Sequence, residues 1–222
     1  MTNNTNTDFM SSDAVKNLRK GWVLPQPIIR PVMRTRLGDL NVNLFVAQRK
    51  LPFLIGNTLF QKNALLVPVA PDMRMVFGIA KRARDWGADV AQHEALKVAP
   101  LAAGEAFLAT GARYRFRYTV LAVIFDEQKR TSLELIRRAV RRGAQLAGER
   151  GVTSLILPDM TENLLAQPNW ITDAQRAETA QLTAFTLIDT LKSCRGMVKD
   201  IHLWCWDPRN ADIYLSELKR AK

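Results

Sequence analysis

Two cysteines and two histidines are all that this 222-residue chain holds of the side chains that most often bind transition metals. Cys194, Cys205, His93 and His202 fall at none of the spacings of a zinc or redox site, so the expectation is two buried free thiols, no metal and no cofactor. His202 lies within an apolar run, which favours a structural histidine over a catalytic one. There is no Ser-His-acid arrangement, no Gly-x-x-x-x-Gly-Lys phosphate loop and no pair of metal ligands on one helix. The longest apolar stretches, residues 64–71 and 120–125, fall far short of the roughly 20 residues that span a bilayer. No membrane partner is expected, and both stretches read as buried strands. The first twelve residues are mostly Asn, Thr and Ser, without the basic cluster and apolar core of a secretory leader. They read as the disordered tail of a cytoplasmic protein.

What the chain has in excess is positive charge. Its 32 Lys and Arg against 21 Asp and Glu give a net charge of +11 and a pI near 10.1, a field that attracts nucleic acid, nucleotides or other polyanions. Arg138, Arg141 and Arg142 carry part of it on the solvent face of an amphipathic helix. Lys16, Arg19, Lys20, Arg30, Arg34 and Arg36 carry more, between Val15 and Leu40, where Pro25, Pro27 and Pro31 punctuate the chain. That segment reads as a basic arm lying over the domain. The domain division is therefore a tail and arm over 1–40 and one folded domain over 41–222, whose 47% hydrophobic content suffices for a single core.

Within the domain, the apolar runs 41–47 and 51–60 fit two strands or one strand and an extended edge, and strands are predicted over 64–70, 104–109, 117–125, 152–157 and 198–206. Helices are predicted over 76–86, ending near Gly87, and over 91–98. A further helix opens on Thr131 and Glu134 in capping-box spacing, with Leu133, Ile136, Val140, Ala144 and Ala147 on one stripe, and stops near Gly151. Asp126 and Glu127 just before it suit either a ligand crevice at a strand end or the turn into the helix. A polar loop over 158–168 leads to a helix capped by Thr172 and Gln175, with Ala177, Ala184, Ile188 and Leu191 inward and Gly196 as its stop. The last helix is predicted over 211–218. Alternating strands and helices imply right-handed crossovers and a mostly parallel sheet covered on both faces.

The run Gly56, Asn57, Thr58, Leu59, followed after four residues by Ala64 to Val67, is similar to the opening of macro domains: Gly-Asp-Ile-Thr, a loop, and a strand ending in Asn-Ala-Ala-Asn. Gly104 to Ala106, Val120 to Asp126, Ser154 to Pro158, and Ile201 to Trp206 with Tyr214 follow in the family's order, so the resemblance covers residues 41–220. It implies a three-layer α/β/α fold around a mixed, mostly parallel sheet of about six strands. It also implies an ADP-ribose-like nucleotide as ligand.

The family's functional residues transfer poorly. Pro68, Val69, Ala70 and Pro71 stand in place of Asn-Ala-Ala-Asn, and proline has neither a side-chain amide nor a backbone N–H. Asp72, Met73, Arg74 and Met75 precede Val76 and Phe77 where the family has a glycine-rich phosphate loop. Arg74 then reads as a charged clamp or as a plain loop arginine. Asp159, Met160, Thr161, Glu162 and Asn163 replace the second phosphate loop and add two acids. Asn57 stands where the family's aspartate accepts from the adenine amino group. Trp206, sharing a strand side with His202 and Trp204, is placed either to stack on a base or to pack on a helix. The candidate ligand contacts are therefore Asn57, Ala70, Pro71, Arg74, Val76, Phe77, Met160, Thr161, Asn163 and Trp206. The leading reading is a non-catalytic binding module for ADP-ribose or a related nucleotide. The alternatives are a divergent ADP-ribosyl hydrolase in which Asp72, Asp159 or Glu162 activates water, and a nucleic-acid-binding or interaction domain using the basic arm and the Arg137 to Arg142 face.

Overall fold

The computed structural model describes residues 30–46, 63–111, 116–165 and 172–221, without the side chain of Trp86. Seven strands form one sheet: β1 (Met33–Leu37), β2 (Leu40–Val46), β3 (Asn63–Val69), β4 (Ala106–Thr110), β5 (Tyr118–Val123), β6 (Ser154–Pro158) and β7 (Asp200–Cys205), in the order β1-β2-β7-β6-β3-β5-β4. The five inner strands run parallel and the two edge strands antiparallel. All residues of β3 and β6 are buried, as strands covered on both faces must be.

The sheet has one strand more than expected, and the extra strand is β1. It lies in the segment read as an arm, so the folded domain starts ahead of the boundary expected at residue 41. Its period-two pattern, Arg34 and Arg36 out, Thr35 and Leu37 in, is masked in the sequence by its charge and by the adjoining Pro31. Gly38 turns the hairpin with φ +67. The strand or extended edge predicted over 51–60 and the residues around Asn57 lie outside the described residues.

Helices α3 (Leu133–Glu149), α5 (Asp173–Ser193) and α6 (Pro208–Arg220) cover one face, where Ile136, Val140, Leu187 and Leu218 pack with Val42, Leu66, Val120 and Leu203. The opposite face is covered by α1 (Gly78–Ala83), a π-helical turn (Arg84–Ala88) and α2 (Asp89–Leu96), over Leu65, Val67, Leu121 and Ile156. The first helix does not stop at Gly87. That glycine, at φ +109, sits inside the π turn, and the chain stays helical into α2.

Three helix starts show where local signals compete. Ser132, not Thr131, caps α3, accepting from the Leu135 N–H at 3.2 Å; the Thr131 hydroxyl donates instead to the Ile124 carbonyl at 2.6 Å. Thr172 and Gln175 form the expected capping box on α5, but Ala177 is exposed and the buried stripe begins at Ala180, because the first turns overhang the core. Helix α6 starts at Pro208 on an Asp207 cap, ahead of the expected Ala211.

Gly148 on α3 marks the tightest described helix contact with the backbone: a Cβ there would lie 2.2 Å from the Met197 carbonyl oxygen. Gly148→Ala is expected to destabilise the domain by about 1–3 kcal/mol through overpacking, lowering Tm by several degrees. A thermal melt indistinguishable from the parent would contradict this packing.

Candidate functional site

Strands β3, β6 and β7 end on the same side of the sheet, and the chain leaves each of them into a loop that opens a helix: α1, then α4 (Thr161–Leu165), then α6. Between these loops lies an open cleft of about 750 Å³, outside the carboxyl ends of the strands, where α/β sheets place ligands. Gly78, Ile79 and Arg82 form one wall; Pro158, Asp159, Glu162 and Asn163 form the floor and second wall; Trp206, Asp207 and Pro208 close the end.

The floor is organised by Asp159, which is 9% exposed. Its Oδ1 accepts from the Thr161 N–H at 2.9 Å, the Thr161 hydroxyl at 2.6 Å and the Tyr214 hydroxyl at 3.1 Å; its Oδ2 accepts from the Asn210 amide at 2.7 Å. All four donors are neutral. Tyr214 is fully buried, and burial together with the Asp159 charge holds its hydroxyl well above its usual pKa. Burial, with the same carboxylate nearby, also pushes the Cys205 thiol up, while burial alone dominates at Cys194, raised to about 11. Both cysteines are free and buried.

At the walls, Arg82 lies over the Trp206 ring with its guanidinium carbon 4.5 Å from the centroid, a cation–π contact. The acids beside it are paired: Glu162 with Arg176 at 3.0 Å, and Asp207 with Arg209 at 2.7 Å. Asp207 also caps α6 by accepting from the Arg209 N–H, whereas no side chain caps α1. Val76 and Phe77 are roughly half exposed, Phe77 standing edge-on to Phe125 at 6.2 Å.

The loop between β3 and α1 is a closed turn. Met73 and Met75 are fully buried in the core beneath it, Met73 in the left-handed region at φ +58. Its backbone donors are engaged: Met73 N–H with the Ala70 carbonyl, Arg74 N–H with the Asp72 carboxylate, and Met75 N–H with the Gln92 side chain. Three of the turn's peptide donors, which in a glycine-rich loop would be available to a phosphate, are thus already hydrogen-bonded within the protein.

Of the residues singled out in the sequence, Asp159, Glu162, Asn163 and Trp206 come together on the cleft. Ala70 is buried, Pro71 half-buried, and Asp72 and Arg74 exposed on the turn; Asn57 lies outside the described residues. Met160 and Thr161 do not line the cleft. Met160 belongs to the core, and Thr161 turns onto Asp159. Asp126 serves the turn before α3, accepting from the Arg130 N–H and guanidinium. His202 is largely buried, 3.5 Å from the Asn43 amide and edge-on to Phe45 at 5.6 Å, and burial lowers its pKa. The arginine face of α3 is at the surface, where Arg137 and Arg142 pair with Glu134 and Glu105. Sequence reasoning missed Gly78, Ile79, Arg82, Asp207 and Pro208. The Asp-Pro pair, a cap followed by a first-turn proline, was the readable signal.

Five parallel strands with antiparallel edges, helices on both faces and a cleft at the strand ends define a three-layer α/β/α domain. The chain has the macrodomain fold. It superposes on an Oceanobacillus iheyensis macrodomain with ADP at a TM-score of 0.63 and 14% identity, covering 85% of this chain and 95% of that one. A Trypanosoma brucei macrodomain in complex with ADP-ribose matches at 0.61 and 16% identity, over 89% and 78% of the two chains. No protein-family model and no curated protein matches the sequence. Among the described residues no three potential ligands gather for a metal ion, and no helix is long and apolar enough to cross a membrane.

Asp159→Ala strands four buried neutral donors from three residues and is expected to cost about 3 kcal/mol or more, read as a lower urea midpoint. A loss under about 0.5 kcal/mol would show that the hub contributes little. Because Tyr214, Cys194 and Cys205 all have raised folded-state pKa values, their contribution is complete below the unfolded thiol range near 9.0 and is lost as pH rises above it. Stability should therefore fall from about pH 8 upward through the thiols, with Tyr214 adding to the loss only from about pH 10 upward; Tyr214→Phe should reduce the decline in that upper range alone, and equal loss there in both proteins would remove Tyr214 from this account.

Proposed function

We propose that this domain is a non-catalytic binding module whose cleft takes ADP-ribose or a related nucleotide. The observation that carries the reading is Arg82 held over the Trp206 ring inside the cleft. A planar cation backed by an indole offers a base a stacking surface and a phosphate a fork of donors. The uncapped start of α1, with Gly78 on the cleft wall, adds peptide N–H groups on the same side. Macrodomains of the same fold have been solved with ADP and with ADP-ribose.

Three carboxylates bear on catalysis, and each is occupied. Asp159 accepts four hydrogen bonds, Glu162 is paired with Arg176, and Asp72 closes the turn through the Arg74 N–H. A general base needs a lone pair directed at the water it activates. Glu162, the most exposed of the acids lining the cleft, is the base that a hydrolase reading requires.

Calorimetry is expected to give a Kd for ADP-ribose below about 10 μM, with Arg82→Ala and Trp206→Ala each weakening it by about 5- to 100-fold. Absence of binding at about 1 mM ligand would sink the reading. Release of ADP-ribose from a modified protein, abolished by Glu162→Gln, would replace the module with the hydrolase.

A further inference from the structure

A second concave surface lies at the other end of the sheet. Register places Arg34 opposite Asn43 and Arg36 opposite Asn41, and these asparagines opposite His202 and Asp200 on β7. Since side chains alternate along a strand, this polar set shares one face. A groove of about 580 Å³ runs there, lined by Arg34, Thr35, Arg36, Asn41, Asn43 and Asp200. It starts at the first residue of β7, whereas the nucleotide cleft lies beyond the last.

The groove is partly preorganised. The Arg36 guanidinium donates to the Asn41 side-chain amide oxygen at 3.0 Å, and the Asn41 side-chain NH2 donates to Asp200 at 2.9 Å, so Arg36 is positioned without a direct acidic partner among the described residues. Arg34 and Arg36 are both exposed, as are Arg30 before the strand and Lys199 before β7. Across the hairpin turn, Arg195 lies where a side chain on Gly38 would stand, its Nε 3.1 Å from the missing Cβ. Asp200 contributes the opposing charge, and Asp39 lies in the turn itself.

From this arrangement we infer that the β1–β2 hairpin and the start of β7 form a docking surface for single-stranded nucleic acid. Arginines two apart on a strand stand about 6.6 Å from each other, a spacing that successive phosphates of an extended strand can follow. The Asn41 amide opposite Arg36 is committed to Arg36 and Asp200, so it organises the groove and does not read base edges. The aromatic residues of this face, Phe45 and Trp204, are buried, so stacking platforms are withheld. Binding therefore rests on phosphate contacts, is indifferent to sequence and depends steeply on salt. The net charge of +11 supplies the long-range attraction.

The test is fluorescence anisotropy of the full chain with a labelled single-stranded RNA of roughly 12 nucleotides, titrated over a range of KCl concentrations. Arg34→Ala with Arg36→Ala is expected to weaken binding at least about tenfold and to reduce the slope of log K against log salt by about 1.4, two phosphates' worth. Arg138→Ala with Arg141→Ala, on the opposite layer, should leave both quantities unchanged, and excess ADP-ribose should not displace the RNA. Arg34→Gln alone, at a position with no internal hydrogen bond among the described residues, should give about half the slope change if the double variant proves less stable. No binding at low salt, an unchanged slope in the hairpin variants, an equal loss in the α3 variant, or preferential binding to phosphatidylserine vesicles would each overturn the inference. The ADP-ribose calorimetry is independent of every one of these outcomes.

Discussion

A carboxylate taken out of water has to receive its hydrogen bonds from the protein, and Asp159 receives four without a cation beside it. Each bond to a charged acceptor contributes about 1.5–3 kcal/mol, and together they offset the cost of taking the group out of water. The donors come from the start of α4 and from two turns of α6, so the end of β6 and both helices are held in one arrangement. Trp206, between β7 and α6, and Pro208, the first residue of α6, inherit their positions from that knot. The cleft's end wall is thus a consequence of a buried hydrogen-bond network more than of its own contacts.

Opposite this wall, the turn after β3 shows how a binding loop can be rebuilt as a piece of core. Met73 and Met75 extend inward and fill the space beneath the turn, whose Met73 and Arg74 amides bond within the turn while the Met75 amide bonds to Gln92 on α2. A loop in this state offers an anion little from its backbone. The positive charge of the site comes from Arg82, held on Trp206, while Arg176 and Arg209 pair with the neighbouring acids. Recognition by a guanidinium differs from recognition by a peptide cradle in being more sensitive to salt and less demanding of phosphate geometry.

Much of the framework was legible because the signals are local and repeated. Continuous apolar runs marked β3 and β5, and the Thr172–Gln175 box marked the start of α5. Where two neighbouring residues could serve one role, the sequence did not choose. Thr131 and Ser132 both suit a cap, and only the pull of the Ile124 carbonyl on Thr131 leaves Ser132 to α3. Ala177 carries the right periodicity for burial, but the helix outruns the sheet at that turn. Gly87 looked like a stop, and a π turn carried the helix through it. In the site, Asp159, Glu162, Asn163 and Trp206 were reachable from the resemblance to macro domains, whereas Arg82 sits on a helix face with nothing in its neighbours to distinguish it.

By itself, the sequence determined the alternation of strands and helices, the layered class that alternation requires, and the surplus of positive charge. Those are properties of short windows and of composition, which solvent and backbone sterics read directly. Tertiary structure decided which arginine meets Trp206, that Asp159 is a buried hub, that methionines plug the first loop, and that Arg34 and Arg36 face Asn43 and Asn41 across a hairpin. Each of these joins residues distant in the chain or depends on register and burial, and a register shift of one residue would turn the same side chains to the other face.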